Sequence, residues 1–180
     1  MAHKAQILFF NSVKRKYPKF FRNVTAVDFG SLNISGDNRY LFEGGKYTGV
    51  DLAPGPNVDV TCLAHEYDAP DASVHTVLSA NMLEHDKYYS LTLWNMYRIL
   101  VPGGLFLLSC ATGRHKEHGT LRRKPEHSPF TTKIAGWESY YKNLSEADFR
   151  AVLDVDKLFR KSWINTTADD LQFVGFKRMP

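Results

Sequence analysis

Apolar and polar positions alternate between short β-prone runs and polar turns along most of the chain. Val24, Ala26 and Val27 lead into Asp28-Phe29-Gly30-Ser31, where the apolar run stops. Tyr47 to Val50 is a second β-prone run, closed by Asp51, and between the two there is room for a short helix over Asn38–Glu43 that ends at Gly44-Gly45. Upstream, Ile7, Phe10, Val13 and Tyr17 have helical spacing and Pro18 ends the pattern, predicting a helix over 5–17. That helix can lie on the sheet or serve as a lid or acceptor-binding arm. Downstream, Pro54-Gly55-Pro56 marks a turn before a short strand over 57–61, and 70–73 marks another.

Val74 to Ala80 reads as a buried strand. A helix is predicted over 87–101, with Leu91, Trp94, Tyr97 and Leu100 as its core-facing stripe and Pro102-Gly103-Gly104 as its stop. Leu105 to Cys110 is almost continuously apolar, as expected of a strand covered on both faces. Periodicity then lapses from Ala111 to Asn143, although Phe130, Trp137, Tyr140 and Tyr141 argue against simple disorder. Ser145 caps a helix that starts Glu146-Ala147-Asp148. Segments 156–164 and 170–178 form a final antiparallel pair. The alternation of strands and helices predicts one α/β domain over 1–180, a Rossmann-like doubly wound sheet that is mostly parallel with an antiparallel C-terminal strand. Residues 1–22 carry its N-terminal helix, and 111–142 are an acceptor-side insertion or lid.

Composition fits a globular chain, with 43% apolar and 23% charged residues. No apolar run is long enough to span a bilayer, no signal-peptide core stands at the N-terminus, and Cys62 and Cys110 lack metal-ligand spacing. A cytoplasmic location and the absence of a bound metal are the resulting expectations. The net charge of +4 is uneven: residues 1–22 hold six Lys/Arg and no acid, and 111–133 hold six Lys/Arg against two acids. Both basic segments lie outside the predicted sheet, where they suit either an anionic partner or plain solvation.

A glycine ending one strand and an acid ending the next, 21 residues on, is the arrangement by which a doubly wound sheet holds an adenosine. Four stations then resemble the class I S-adenosylmethionine-dependent methyltransferases in their compact, small-molecule form. Val27-Asp28-Phe29-Gly30-Ser31 resembles the first motif, and Asp51 the ribose-binding acid. Ser79-Ala80-Asn81-Met82-Leu83-Glu84-His85 is similar to the fourth-strand exit, and Arg98-Ile99-Leu100-Val101-Pro102-Gly103-Gly104 to the turn before the fifth strand. Leu32 and Ile34 stand where that family has later glycines, and Gly36 comes late. Leu32 would hinder the close approach a nicotinamide dinucleotide requires.

The resemblance implies S-adenosylmethionine as cofactor, with S-adenosylhomocysteine as product. Its binding would use Asp28 near the ammonium, Gly30, Ser31, Asp51 and Leu52, with Ala64, His65 or Glu66 at adenine and Asn81 and Met82 near the methyl. His115, His118 and His85 are the candidate catalytic groups, although His85 reads first as a helix-start residue bonded to backbone. Arg114, Arg122 and Arg123 are candidates for pairing an anionic acceptor group. A small-molecule or glycan acceptor is preferred. A nucleic-acid-directed enzyme is disfavoured, because no Asn/Asp-Pro-Pro-aromatic signature follows the fourth strand. The thinned glycines leave open a non-catalytic scaffold or cofactor-binding module.

Overall fold

The computed structural model describes residues 4–113, 115–166 and 169–180. Its centre is β1 (Arg22–Phe29), paired in parallel with β2 (Glu43–Asp51) on one side and β4 (Val74–Ala80) on the other. β3 (Val60–Thr61) extends the sheet beyond β2, and β5 (Leu100–Ala111) lies beside β4. The C-terminal hairpin adds β7 (Asp170–Lys177) antiparallel to β5 and β6 (Phe159–Thr166) at the edge, giving the order β3-β2-β1-β4-β5-β7-β6. This is the mostly parallel, Rossmann-like sheet with an antiparallel C-terminal strand that the sequence predicts, and β7 alone runs against the rest.

Side chains alternate across the strands, so each strand feeds two cores. Val27, Phe29, Val77, Phe106, Leu108 and Phe173 pack with α2 (Tyr89–Ile99) and α3 (Glu146–Val152) on one face. Leu78, Leu105, Leu107, Val174 and Phe176 pack with Phe10 and Val13 of α1 (Lys4–Lys16) on the other. Asp28, between Val27 and Phe29, therefore points to the α1 side. Ser145 caps α3 in a reciprocal box with Asp148. A single turn, α4 (Val155–Leu158), follows with Asp154 as its cap.

Four predicted elements differ. The helix expected over 38–43 is one 3-10 turn, Arg39–Leu41. Asn33 and Asp37 bond to one another and to the Gly36 and Arg39 amides, so local side-chain bonds take the backbone groups a helix would need. The third strand shrinks from 57–61 to Val60–Thr61. The final pair starts at Phe159 rather than 156, because Asp154 turns the preceding residues into α4.

The stripe on α2 also differs. Leu91 and Trp94 are 52% and 46% exposed, and the buried positions are Thr92, Leu93, Asn95, Met96 and Ile99. Steps of three fall short of a 3.6-residue turn, so a run of threes slides around the helix, whereas the buried set mixes steps of three and four. The helix itself starts at Tyr89, after Asp86 accepts hydrogen bonds from the Tyr88 amide (2.8 Å) and the Thr92 hydroxyl (2.5 Å). It stops at Ile99, and Pro102-Gly103-Gly104 lies within β5 as an irregular stretch facing Val74 to Thr76. Leu93→Ala is expected to cost about 2–5 kcal/mol in urea unfolding and Trp94→Ala less than about 1 kcal/mol. Equal losses would return Trp94 to the core.

Candidate cofactor and acceptor site

Sheet order reverses between β1 and β4, the place where open α/β sheets leave a crevice at their strand ends. A cavity of about 990 Å³, including its open mouth, lies there. Its floor is Asp28, Gly30 and Ser31 from the end of β1, Val50, Asp51 and Leu52 from β2, and Ala80, Asn81 and Met82 from β4. Gly30 has φ of 81°, and a side chain on it would meet the Met82 Cβ at 2.4 Å. The glycine thus serves a left-handed turn and the packing of Met82 across the crevice.

Asp51 is held open at this edge. Its two carboxylate oxygens accept from the Leu32 amide (3.0 Å) and the Leu52 amide (2.8 Å), the Ala53 amide also favours the anion, and acceptor capacity remains for a ligand hydroxyl. Burial raises its pKa, while those amides pull it back. Leu32, in the place of a family glycine, contributes through its backbone.

Asp28 is fully buried. One oxygen accepts from Tyr47 Oη (2.6 Å) and Asn38 Nδ2 (3.0 Å), and Oδ1 has no partner. Burial pushes its carboxyl up to about 7, against the lowering effect of the two hydrogen bonds. Ser31 Oγ is also buried and unpartnered. Unmet polar atoms in one cavity wall mark where a ligand's polar groups belong.

The other walls come from distant sequence. Gln6 of α1 reaches the cavity, and Leu63 and Ala64 line it after β3. His65 and Glu66 lie off the lining: His65 packs on Tyr88 (4.8 Å between ring centroids) and borders a separate groove with Leu91 and Trp94. The segment after β5 closes the far side with His127, Ser128, Pro129, Phe130, Thr131 and Trp137. It is tied down by Leu121 N–H to Glu138 O, Lys142 N–H to Glu84 O and Asn143 Nδ2 to His115 O.

Of the three candidate catalytic histidines, His85 lines the cavity. His118 packs edge-on against it (4.9 Å), and His115 packs on His118 (4.8 Å). Burial lowers His85 to about 3 and His118 to about 4, with neighbouring imidazoles adding to the effect. Arg122 is engaged by Glu117 and the Ser139 carbonyl, and neither it nor Arg123 lines the cavity. Arg114 lies outside the described residues.

Sequence reasoning did not find Asn38 and Tyr47, the partners of Asp28, nor the lining contributed by Gln6, His127, Phe130 and Trp137. Only the Pro- and aromatic-rich character of 111–143 signalled that a wall could form there.

Residues 13–108, more than half of the chain, match the family described as methyltransferase domain. The chain belongs to the class I S-adenosylmethionine-dependent methyltransferases, and S-adenosylmethionine is its cofactor. No curated protein sequence matches it. Among solved structures, it is similar to Haemonchus contortus phosphoethanolamine N-methyltransferase 2, in complex with phosphomonomethylethanolamine and S-adenosylhomocysteine. That likeness has a TM-score of 0.66 at 15% identity over 96% of this chain, and the chain spans 53% of that enzyme. It is similar also to Burkholderia thailandensis 1,6-didemethyltoxoflavin-N1-methyltransferase with bound 1,6-didemethyltoxoflavin and S-adenosylhomocysteine (TM-score 0.60, 15% identity, 99% of this chain and 92% of that one). A third is Bacillus subtilis YcgJ (TM-score 0.63, 12% identity, 99% of this chain and 100% of that one). At such identities the likeness is one of fold. No helix among the described residues is long and apolar enough to cross a membrane.

The raised pKa of Asp28 makes a pH-dependent cost. The folded state holds this proton more tightly than the unfolded chain, so stability falls as pH rises from about 4 to about 7 and then levels off. Asp28→Asn is therefore expected to unfold like the wild type near pH 4 and to be more stable at pH 8, by at most roughly 4 kcal/mol. Urea melts at the two pH values measure this, and an equal offset at both would remove the buried charge from the account.

Proposed function

We propose that this protein transfers a methyl group from S-adenosylmethionine to a small organic acceptor held beneath residues 111–142. The observation that carries this reading is the convergence, in one cavity, of Asp51 with ligand-ready oxygens and Asp28 with an unpartnered one. Asp51 would take the ribose hydroxyls, and Asp28 Oδ1 the ammonium of the methionine part. Ser31 Oγ and the Gly30 and Leu52 backbone complete that side. Of Ala64, His65 and Glu66, Ala64 lines the cavity, and with Leu63 it would flank adenine. Asn81 and Met82 border the reacting end.

S-adenosylmethionine supplies, when bound, a sulfonium-borne methyl open to in-line displacement. The chain's part is to hold the acceptor on that axis, where orientation lowers the barrier most. Phe130 and Trp137 offer an apolar and aromatic wall to the acceptor, and Ser128 and Thr131 offer hydroxyls. No Lys or Arg stands among the described lining residues, so an anionic acceptor group would have to be met by His127 or from outside them. This shifts the preference from an anionic acceptor toward a neutral one carrying a hydroxyl or amine. His85 is the one of the three candidate histidines in reach of that group, with His118 orienting it and His115 behind.

Calorimetric titration with S-adenosylhomocysteine tests the cofactor side. The wild type is expected to bind one equivalent, and Asp51→Ala to bind roughly 10- to 100-fold more weakly, as loss of hydrogen bonds to a charged group predicts. A wild type that binds neither S-adenosylhomocysteine nor S-adenosylmethionine would overturn the reading in favour of a scaffold.

A further inference from the structure

Behind the acceptor end of the cavity lies a cluster whose buried carboxylate the methyl-transfer reading leaves without a role. Glu84, His85 and His118 are all buried, and one ligating atom from each lies within 4.8 Å of the others. Glu84 is completely buried at the fourth-strand exit, and neither of its carboxylate oxygens closes a hydrogen bond. The backbone amides of Glu84 and Ala111 favour its anion without completing one. Among the described residues no ion pair includes it. His85 Nδ1 is likewise buried and unpartnered. A fold rarely tolerates a buried carboxyl and a buried ring nitrogen side by side with neither satisfied. A cation that accepts a lone pair from each resolves both.

The surrounding backbone is shaped for close approach. Gly119 has φ of 63°, and a Cβ there would stand 2.6 Å from His85 Cε1 and 3.1 Å from Nδ1. The absence of that carbon lets the loop carrying His118 fold directly onto the His85 ring. His127 and Tyr141 pack around His118 at 5.5 and 5.1 Å, forming an outer ring of polar aromatics.

We infer that Glu84, His85 and His118 form a site for one divalent transition-metal ion at the acceptor end of the cavity. Two imidazole nitrogens and one carboxylate oxygen suit Zn²⁺, Co²⁺, Fe²⁺ or Mn²⁺ better than Mg²⁺ or Ca²⁺, which prefer oxygen throughout. Ligand bonds of about 2.1 Å place tetrahedral donors about 3.4 Å apart, so the three side chains need to close by at most about 1.4 Å on loading. His118, on a loop rather than a strand, supplies that movement. Three protein ligands leave coordination positions open. Because His85 lines the cavity, an acceptor oxygen or nitrogen reaches the ion from that side, which adds orientation to the methyl transfer proposed above. That last role rests on the methyltransferase reading; the binding of the ion does not.

The test uses the full chain, stripped with chelator and titrated calorimetrically with Zn²⁺ and with Mn²⁺, with S-adenosylhomocysteine titrated in parallel. The wild type is expected to take up one equivalent of Zn²⁺, and His118→Ala and Glu84→Gln each to weaken it at least about 100-fold. His75→Ala, an exposed histidine on β4, is expected to leave it unchanged. No stoichiometric uptake of either ion, or uptake undiminished in both ligand variants, overturns the site. Should those variants fail to fold, anomalous scattering at the zinc edge from wild-type crystals decides: a peak among the three side chains supports the site and a peak only elsewhere overturns it. Zinc uptake without S-adenosylhomocysteine binding would sink the cofactor reading and leave the metal site standing, and the converse result would do the reverse.

Discussion

The parallel pairing of β1 between β2 and β4 is the constraint on which the rest depends. Its register sets Asp28 opposite Gly49 on one neighbour and Leu78 on the other. A strand paired on both edges and covered on both faces gives a side chain no escape to water, so an acid near its end is buried outright. The same pairing brings the ends of β1, β2 and β4 to one level. Asp28, Asp51 and Asn81 therefore share one crevice although they are far apart in sequence.

Around that crevice the fold uses few helices. The connection from β1 to β2 is a loop braced by Asn33 and Asp37 with a single 3-10 turn, where a doubly wound sheet would ordinarily carry a helix. On this face the wall left bare is filled by α1 through Gln6 and by the segment after β5. The proposed cofactor end is thus built on strand ends, and the proposed acceptor end on loops held by backbone hydrogen bonds. Such a division lets one sheet serve different acceptors through changes in a single segment.

The family match ends at residue 108, before that segment begins. Residues 111–142 carry His115, His118 and His127, and fold His118 against Glu84 and His85 of the matched portion. Residues beyond the matched range therefore meet matched ones at this end of the cavity.

The mostly parallel sheet with its antiparallel C-terminal strand, the strand-end acid and glycine, and the family were legible in the sequence, because apolar runs buried on both faces and turn residues leave marks at fixed local spacing. The buried face of α2 was not, since a three-residue rhythm through Leu91, Trp94 and Tyr97 mimics a stripe, and only packing against the sheet selects Leu93 and Met96. Nor were the partners of Asp28: Asn38 and Tyr47 lie 10 and 19 residues away and meet it through the turn and the neighbouring strand. Which of Ala64, His65 and Glu66 faces the cavity is a matter of one tight turn, which turns Ala64 in beside Leu63 and the other two away. The convergence of Glu84, His85 and His118 spans the whole of α2 and β5. Local sequence fixes periodicity and turn chemistry, but which buried polar groups are left facing one another is decided only when distant segments pack.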